Sequence, residues 1–129
     1  MRRFLLTLVL LMPLPATAAE ESPRALVEVG AAFEDAPTMR LKAAIAEAVK
    51  TSESLELSTG QKPGTLVIAF SNPVEERAHM GRAEYLYRVE LRGVNGRLYE
   101  RGFGNCWSDE IARCVSHVVR LANRFAPRE

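Results

Sequence analysis

Asn95-Gly96 stands between two alternating segments and constrains this chain's fold more than any other pair of residues. A two-residue type I′ turn needs positive φ at both central positions, and Asn-Gly meets that need best. The turn predicts antiparallel pairing of residues 85–91 with residues 97–103. In that register Val94 faces Arg97, Arg92 faces Tyr99, Glu90 faces Arg101 and Arg88 faces Phe103. Tyr87, Val89, Leu91 and Leu98 fall on the other side. One face is apolar and one charged, the pattern of an antiparallel sheet with a single wet side.

The remaining segments supply partners for that hairpin. Ala25, Val27, Val29, Ala31 and Phe33 recur with period two, which predicts a strand. Asp35-Ala36-Pro37 is a helix-start signal, with Asp as cap and Pro early. Leu41, Ala44, Ile45, Ala48 and Val49 then follow at helical spacing, giving an amphipathic helix over 38–50. Leu55 and Leu57 suggest a short strand. The unbroken apolar run 65–70 predicts a central strand buried on both faces, ended by Asn72-Pro73. Residues 74–83 read as a polar connection or a short helix.

The last helix is expected over 109–125. Ser108 would cap it, Asp109 and Glu110 would lie in its first turn, and Ile111, Val115, Val118, Ala122 and Phe125 would form its buried stripe. The order is strand, helix, strand, strand, hairpin, helix. It predicts an α+β two-layer sandwich: a mixed sheet of four to five strands with two helices on one face. This element order is similar to that of small envelope modules such as the N-terminal domain of the TolB translocation protein. No motif residue matches that family, so the resemblance is architectural and carries no functional residues across.

The start of the chain sets the compartment. Met1-Arg2-Arg3 is basic, residues 4–12 are apolar, and Ala16-Thr17-Ala18-Ala19 supplies small residues after Pro13 and Pro15. Together they predict a secretory signal peptide over 1–19, cleaved after Ala18 or Ala19. A single domain over 20–129 is then expected in the periplasm or secreted. The apolar run is short of the roughly 20 residues that span a bilayer, so no membrane span is expected. Without Arg2 and Arg3 the formal charge changes from +1 to −1. Residues 20–76 hold 5 basic and 10 acidic side chains, whereas residues 77–128 hold 10 arginines and 5 acidic side chains.

Cys106 and Cys114 are the only cysteines. An even count in an exported chain suggests a disulfide. With Cys106 in the loop before the last helix and Cys114 in its second turn, the bridge would close a short loop, worth on the order of 2–3 kcal/mol. The competing reading is zinc, with Cys106, Cys114, His117 and His79 as a Cys₂His₂ set. Irregular spacing and an oxidising compartment disfavour it, and no metal or other cofactor is expected.

Two basic constellations are candidate sites. The charged hairpin face holds Arg88, Arg92, Arg97 and Arg101, with Tyr99, Phe103 and Glu90 among them. Guanidinium forks bind phosphate, sulfate or carboxylate in pairs of hydrogen bonds. The same face is also accounted for by an ion pair and by arginine stems packed on rings. Arg113, His117, Arg120 and Arg124 form a basic stripe along the last helix, which could extend that surface or simply be solvated. Gly102-Phe103-Gly104-Asn105, read as a glycine-rich loop ahead of a helix, is a weak anion signal.

Enzyme signatures are absent. There is no G-x-S-x-G and no H-E-x-x-H, and His79 and His117 are 38 positions apart. The expected role is a non-enzymatic accessory or binding module of the cell envelope that acts by contact with an envelope protein. The alternatives are a binder of an anionic glycan, lipid headgroup or nucleic acid through the arginine face, a secreted inhibitor or immunity-type protein, and a small hydrolase with a dispersed site.

Overall fold

The computed structural model describes residues 23–127, so the predicted export signal lies outside the described residues. In chain order the elements are β1 (Ala25–Gly30), α1 (Ala36–Thr51), β2 (Leu55–Leu57), β3 (Leu66–Phe70), β4 (Glu75–His79), β5 (Arg82–Gly93), β6 (Leu98–Trp107) and α2 (Ala112–Phe125). A 3-10 turn at Ser108–Glu110 precedes α2. β1 lies between β2 and β3 and is parallel to both. β3 pairs antiparallel with residues 89–93 of β5, and β4 with residues 82–86. β6 pairs with β5 along residues 84–92. β3 and β4 therefore share one edge of β5, and β6 takes the other. The result is the predicted α+β sandwich, with six strands in the sheet.

The extra strand is a correction to the sequence reading. Residues 74–83 form neither a loose connection nor a helix but β4 and its turn into β5. Met80 and Gly81 both have positive φ, 51° and 76°, and His79 pairs with Arg82 across them. This is the two-residue turn of positive φ expected at Asn95-Gly96, and it occurs at Met80-Gly81 instead.

The β5–β6 turn has a different shape. The Gly96 N–H donates to the Gly93 carbonyl at 3.0 Å, and the Gly93 N–H donates to the Arg97 carbonyl at 2.8 Å. Val94, Asn95 and Gly96 thus form a three-residue loop in which Gly96 alone is left-handed, at φ 86°. The register shifts between Leu91 and Arg92, so Arg92 faces Leu98 and not Tyr99. The pairs Glu90–Arg101 and Arg88–Phe103 stand as predicted. A one-residue slip exchanges the faces of a strand. Tyr99 therefore packs against the core, and Leu98, expected inside, is exposed.

α1 and α2 contact each other and cover one face of the sheet. α1 buries Leu41, Ile45 and Val49 at helical spacing. Its cap does two jobs. The Asp35 carboxylate accepts from the Thr38 N–H at 3.2 Å and from the Thr38 hydroxyl at 2.8 Å. That hydroxyl oxygen accepts from the Val74 N–H at 2.8 Å, which pins the chain between β3 and β4 to the start of the helix. The Thr38 hydrogen bond holds the Asp35 carboxyl below its ordinary pKa. α2 buries Cys114, Val118 and Ala122. Val27, Leu66, Ile68, Val89 and Leu91 meet them from the sheet. β3 is not buried on both faces as expected: Leu66, Ile68 and Phe70 are buried, whereas Val67 and Ala69 are half-buried on the uncovered side.

The last helix also differs from expectation at its start. Ser108 makes no side-chain cap; the 3-10 turn intervenes, and α2 begins three residues later than predicted. Cys106 is therefore in β6 rather than in a loop, and Cys114 is in the first turn of α2. The two are joined by a disulfide with Cα atoms 5.7 Å apart. The bridge ties helix to sheet across the 3-10 turn. No helix among the described residues is long and apolar enough to cross a membrane.

Candidate functional site

The candidate site is built by strand alternation on the uncovered face of β5 and β6. Arg88, Glu90 and Arg92 project there from β5, and Arg101 and Phe103 from β6. Arg92 Nε donates to Glu90 Oε2 at 2.6 Å, and Arg92 Nη1 donates to the Gly96 carbonyl at 3.0 Å. Arg101 Nε lies 3.8 Å from the other Glu90 oxygen. Two arginines thus share one carboxylate. Arg88 makes no ion pair and no side-chain hydrogen bond with the described residues.

Phe103, directly opposite Arg88, is 78% exposed. A cleft lies on each side of this pair. One, of about 530 Å³, is lined by Asn72, Val74, Glu75, Arg77 and Leu86 as well as Arg88 and Phe103. The other, of about 500 Å³, adds Ser71, Glu90 and Arg101 to the same two residues. Asn72 also lines both. Arg88 and Phe103 are thus a ridge between two clefts. The clefts lie where the chain passes from β3 to β4: the Ser71 N–H still donates to the Arg88 carbonyl at 3.1 Å, residues 72–74 belong to neither strand, and Val74 is tied to Thr38 instead.

Not every residue predicted for this face is there. Arg97 sits at the loop with its Cζ 5.4 Å from the Tyr99 ring centroid, and Tyr99 has turned toward the core. The helical stripe is also broken. Arg113, Arg120 and Arg124 are exposed, with Arg113 3.8 Å from Glu110 and Arg124 over the Phe125 ring. His117 instead turns inward, where its Nδ1 is hydrogen-bonded to the Tyr87 hydroxyl. Burial pushes the Tyr87 phenol up to about 12, opposed in part by the Arg120 charge. α2 covers the other face of the sheet, so its arginines do not extend the hairpin surface.

One further expectation is corrected. Gly102-Phe103-Gly104-Asn105 is strand, not a loop ahead of a helix. A Cβ on Gly102 would come within 2.6 Å of Leu121 Cδ1, and one on Gly104 within 2.6 Å of the Tyr87 hydroxyl. These glycines let the helix layer and the Tyr87 ring approach β6. The cysteines and histidines do not converge either, and no group of three or more potential metal ligands occurs among the described residues. His79 is stacked on Trp107 with ring centroids 5.9 Å apart.

Sequence reasoning missed the cluster to which that stack belongs. The Arg82 guanidinium lies 4.3 Å from the Trp107 centroid and donates to Asp109 at 2.6 Å and to Glu110 at 3.4 Å. The Arg82 hydrogen bond lowers the Asp109 pKa, and the same contact raises that of Arg82. The cluster clamps the 3-10 turn onto the start of β5. Gly81 was the one local signal for the turn that creates it.

No protein-family model matches the chain, and no curated protein matches it. Solved structures do. The dodecamer of a PelC variant from Paraburkholderia phytofirmans aligns over 81% of this chain and 88% of its own, at 13% identity and a TM-score of 0.50. The chain is similar in fold to PelC. A minor lipoprotein from Acinetobacter baumannii aligns over 81% of this chain and 96% of its own, at 14% identity and a TM-score of 0.49. At 13% identity the likeness to PelC is one of fold.

Proposed function

We propose that this chain is an exported, non-enzymatic binding module of the cell envelope, and that it works by protein contact through the open face of its sheet. The observation that carries the reading is Phe103, a large apolar ring 78% exposed on the uncovered face of β6. Exposed aromatic rings beside arginine, bordered by clefts, are the residue types that dominate contact energies at protein interfaces. The leader-like start of the chain and its two paired cysteines support an oxidising compartment. The fold relative PelC is a dodecamer, so a second copy of this chain is among the candidate partners.

Binding of an anionic polymer by the arginine face has less support. Glu90 already occupies Arg92 and faces Arg101, and Arg97 is directed to Tyr99.

A photo-crosslinking residue placed at position 103 of the exported protein tests the reading. Adducts with discrete proteins are expected from position 103 and not from position 56 on β2, where the exposed Glu56 lies at the far edge of the sheet. Equal labelling from both positions, or none from 103, overturns it. Sedimentation of the mature chain reads out whether the contact is with itself.

A further inference from the structure

We propose that the Arg88–Phe103 ridge receives an extended acidic segment of a protein partner, with one carboxylate held by Arg88 and a neighbouring apolar side chain laid against Phe103. The inference rests on the protein-contact reading above and names what such a partner carries.

The charge balance around the ridge points to a single anionic anchor. Glu75 is matched by Arg77 at 2.9 Å. Glu90 is shared between Arg92 and Arg101. One further cation, Arg88, is left without any acidic partner among the described residues, directly beside the exposed ring. A guanidinium fork binds a carboxylate through two parallel hydrogen bonds, which sets orientation as well as attraction.

The same balance disfavours a polyanion. Each cleft contains an acidic residue, Glu75 in one and Glu90 in the other. A nucleic acid or sulfated glycan would bring repeated charge against both carboxylates. A peptide with an isolated Asp or Glu avoids that repulsion.

The shape fits a strand. Successive residues on one side of an extended peptide recur at about 6.5–7 Å. A segment crossing the ridge can therefore lay every second side chain on this face, one in each cleft and the one midway between them, two residues from either, against Arg88. Leu86, Val74 and Pro73 give the larger cleft an apolar wall, so an apolar side chain is favoured there.

The test is selection of a displayed random heptapeptide library on the mature chain. The best peptide is then synthesised and titrated against the wild type, Arg88→Ala and Phe103→Ser, each first checked for an unchanged amide spectrum. Enrichment of Asp or Glu two positions from an apolar residue is expected. Arg88→Ala and Phe103→Ser should each weaken binding about tenfold or more. Replacing the peptide's acid by its amide should weaken binding to the wild type but add little on Arg88→Ala, since the two changes remove one interaction.

Peptides that depend on Phe103 but show no acidic enrichment, or that Arg88→Ala leaves within about twofold, overturn the acidic-partner inference and leave the protein-contact reading standing. No selected peptide, or peptides indifferent to Phe103→Ser, overturns both. Arg88-dependent binding to phosphatidylglycerol vesicles without any selected peptide assigns the ridge to a membrane surface instead.

Discussion

The two faces of the β5–β6 hairpin are made by the same strands under opposite constraints. On the covered face Tyr87, Val89 and Leu91 are buried, and Gly104 and Gly102 stand opposite the first two because a single added carbon has no room. On the open face Arg88, Glu90, Arg92, Arg101 and Phe103 touch little beyond one another. One face is fixed by packing, so its residues report on the fold. The other is under almost no packing constraint, so an exposed ring there is free to serve a contact outside the fold.

Truncation at the most buried position should separate the faces most strongly. Leu91 is fully buried in the middle of the core, and Leu91→Ala is expected to lower stability by about 2–5 kcal/mol. Arg88→Ala, three residues earlier on the open face, should stay within about 0.5 kcal/mol of the wild type. Urea titration of the two variants compares them directly. Equal losses would mean that the open face is itself covered in the native protein.

The glycines sharpen the comparison within the covered face. Gly104→Ala brings a methyl against the Tyr87 ring, whose hydroxyl is tied to His117 and cannot easily withdraw. Gly102→Ala meets the end of the Leu121 side chain, which has rotamers to spare, although Val89 is also 3.2 Å away. Overpacking of this kind costs about 1–3 kcal/mol. Gly104→Ala is expected at the upper end of that range and Gly102→Ala at the lower, read from the shift of the urea midpoint at constant slope.

How far the sequence revealed this arrangement follows from which signals were local. The two helices, the sandwich class and the pairs Arg88–Phe103 and Glu90–Arg101 were legible from periodicity and from the Asn95-Gly96 turn. The exchange of Tyr99 and Leu98 was not, because a bulge is an extra residue that alternation cannot count. β4 was missed because all five of its residues are exposed. A strand that buries nothing leaves no hydrophobic pattern, and it is specified only by its partner β5 and by the strained Met80-Gly81 turn. The spare charge on Arg88 was hidden for a related reason. Arg92 and Arg101 converge on Glu90 and Arg97 lies over the Tyr99 ring, so Arg88 is the one of the four left over, and that sharing shows only once the side chains are placed.

Alkaline pH probes the covered face with a smaller effect. The folded Tyr87 phenol titrates at about 12, against an ordinary value of 10.0. Its folded pKa is raised, so the unfolded state releases its proton first. The stabilisation is therefore complete below pH 10 and is lost as pH rises from about 10 toward 12. A loss of about 1–2 kcal/mol is expected, followed as urea stability between pH 9 and pH 11. Tyr87→Phe should be less stable at neutral pH, since His117 loses its partner, yet flatter over this alkaline range. A slope unchanged by that substitution would place the titrating group elsewhere.

The smallest stability effect is the most informative about function. Phe103→Ser removes a ring that is 78% exposed and that faces only Arg88 across the strands. Little apolar area returns to water, so the melting temperature should move by no more than a surface substitution allows, about 0.5 kcal/mol in stability. If the ring served the fold, as Leu91 does, the loss would be several times larger. The open-face reading requires the two quantities to part company: stability nearly unchanged, and protein contacts at this face abolished. A Phe103→Ser variant that is markedly destabilised would return the ring to the structural side of the comparison, and the clefts beside it would then be gaps in packing rather than places for a partner.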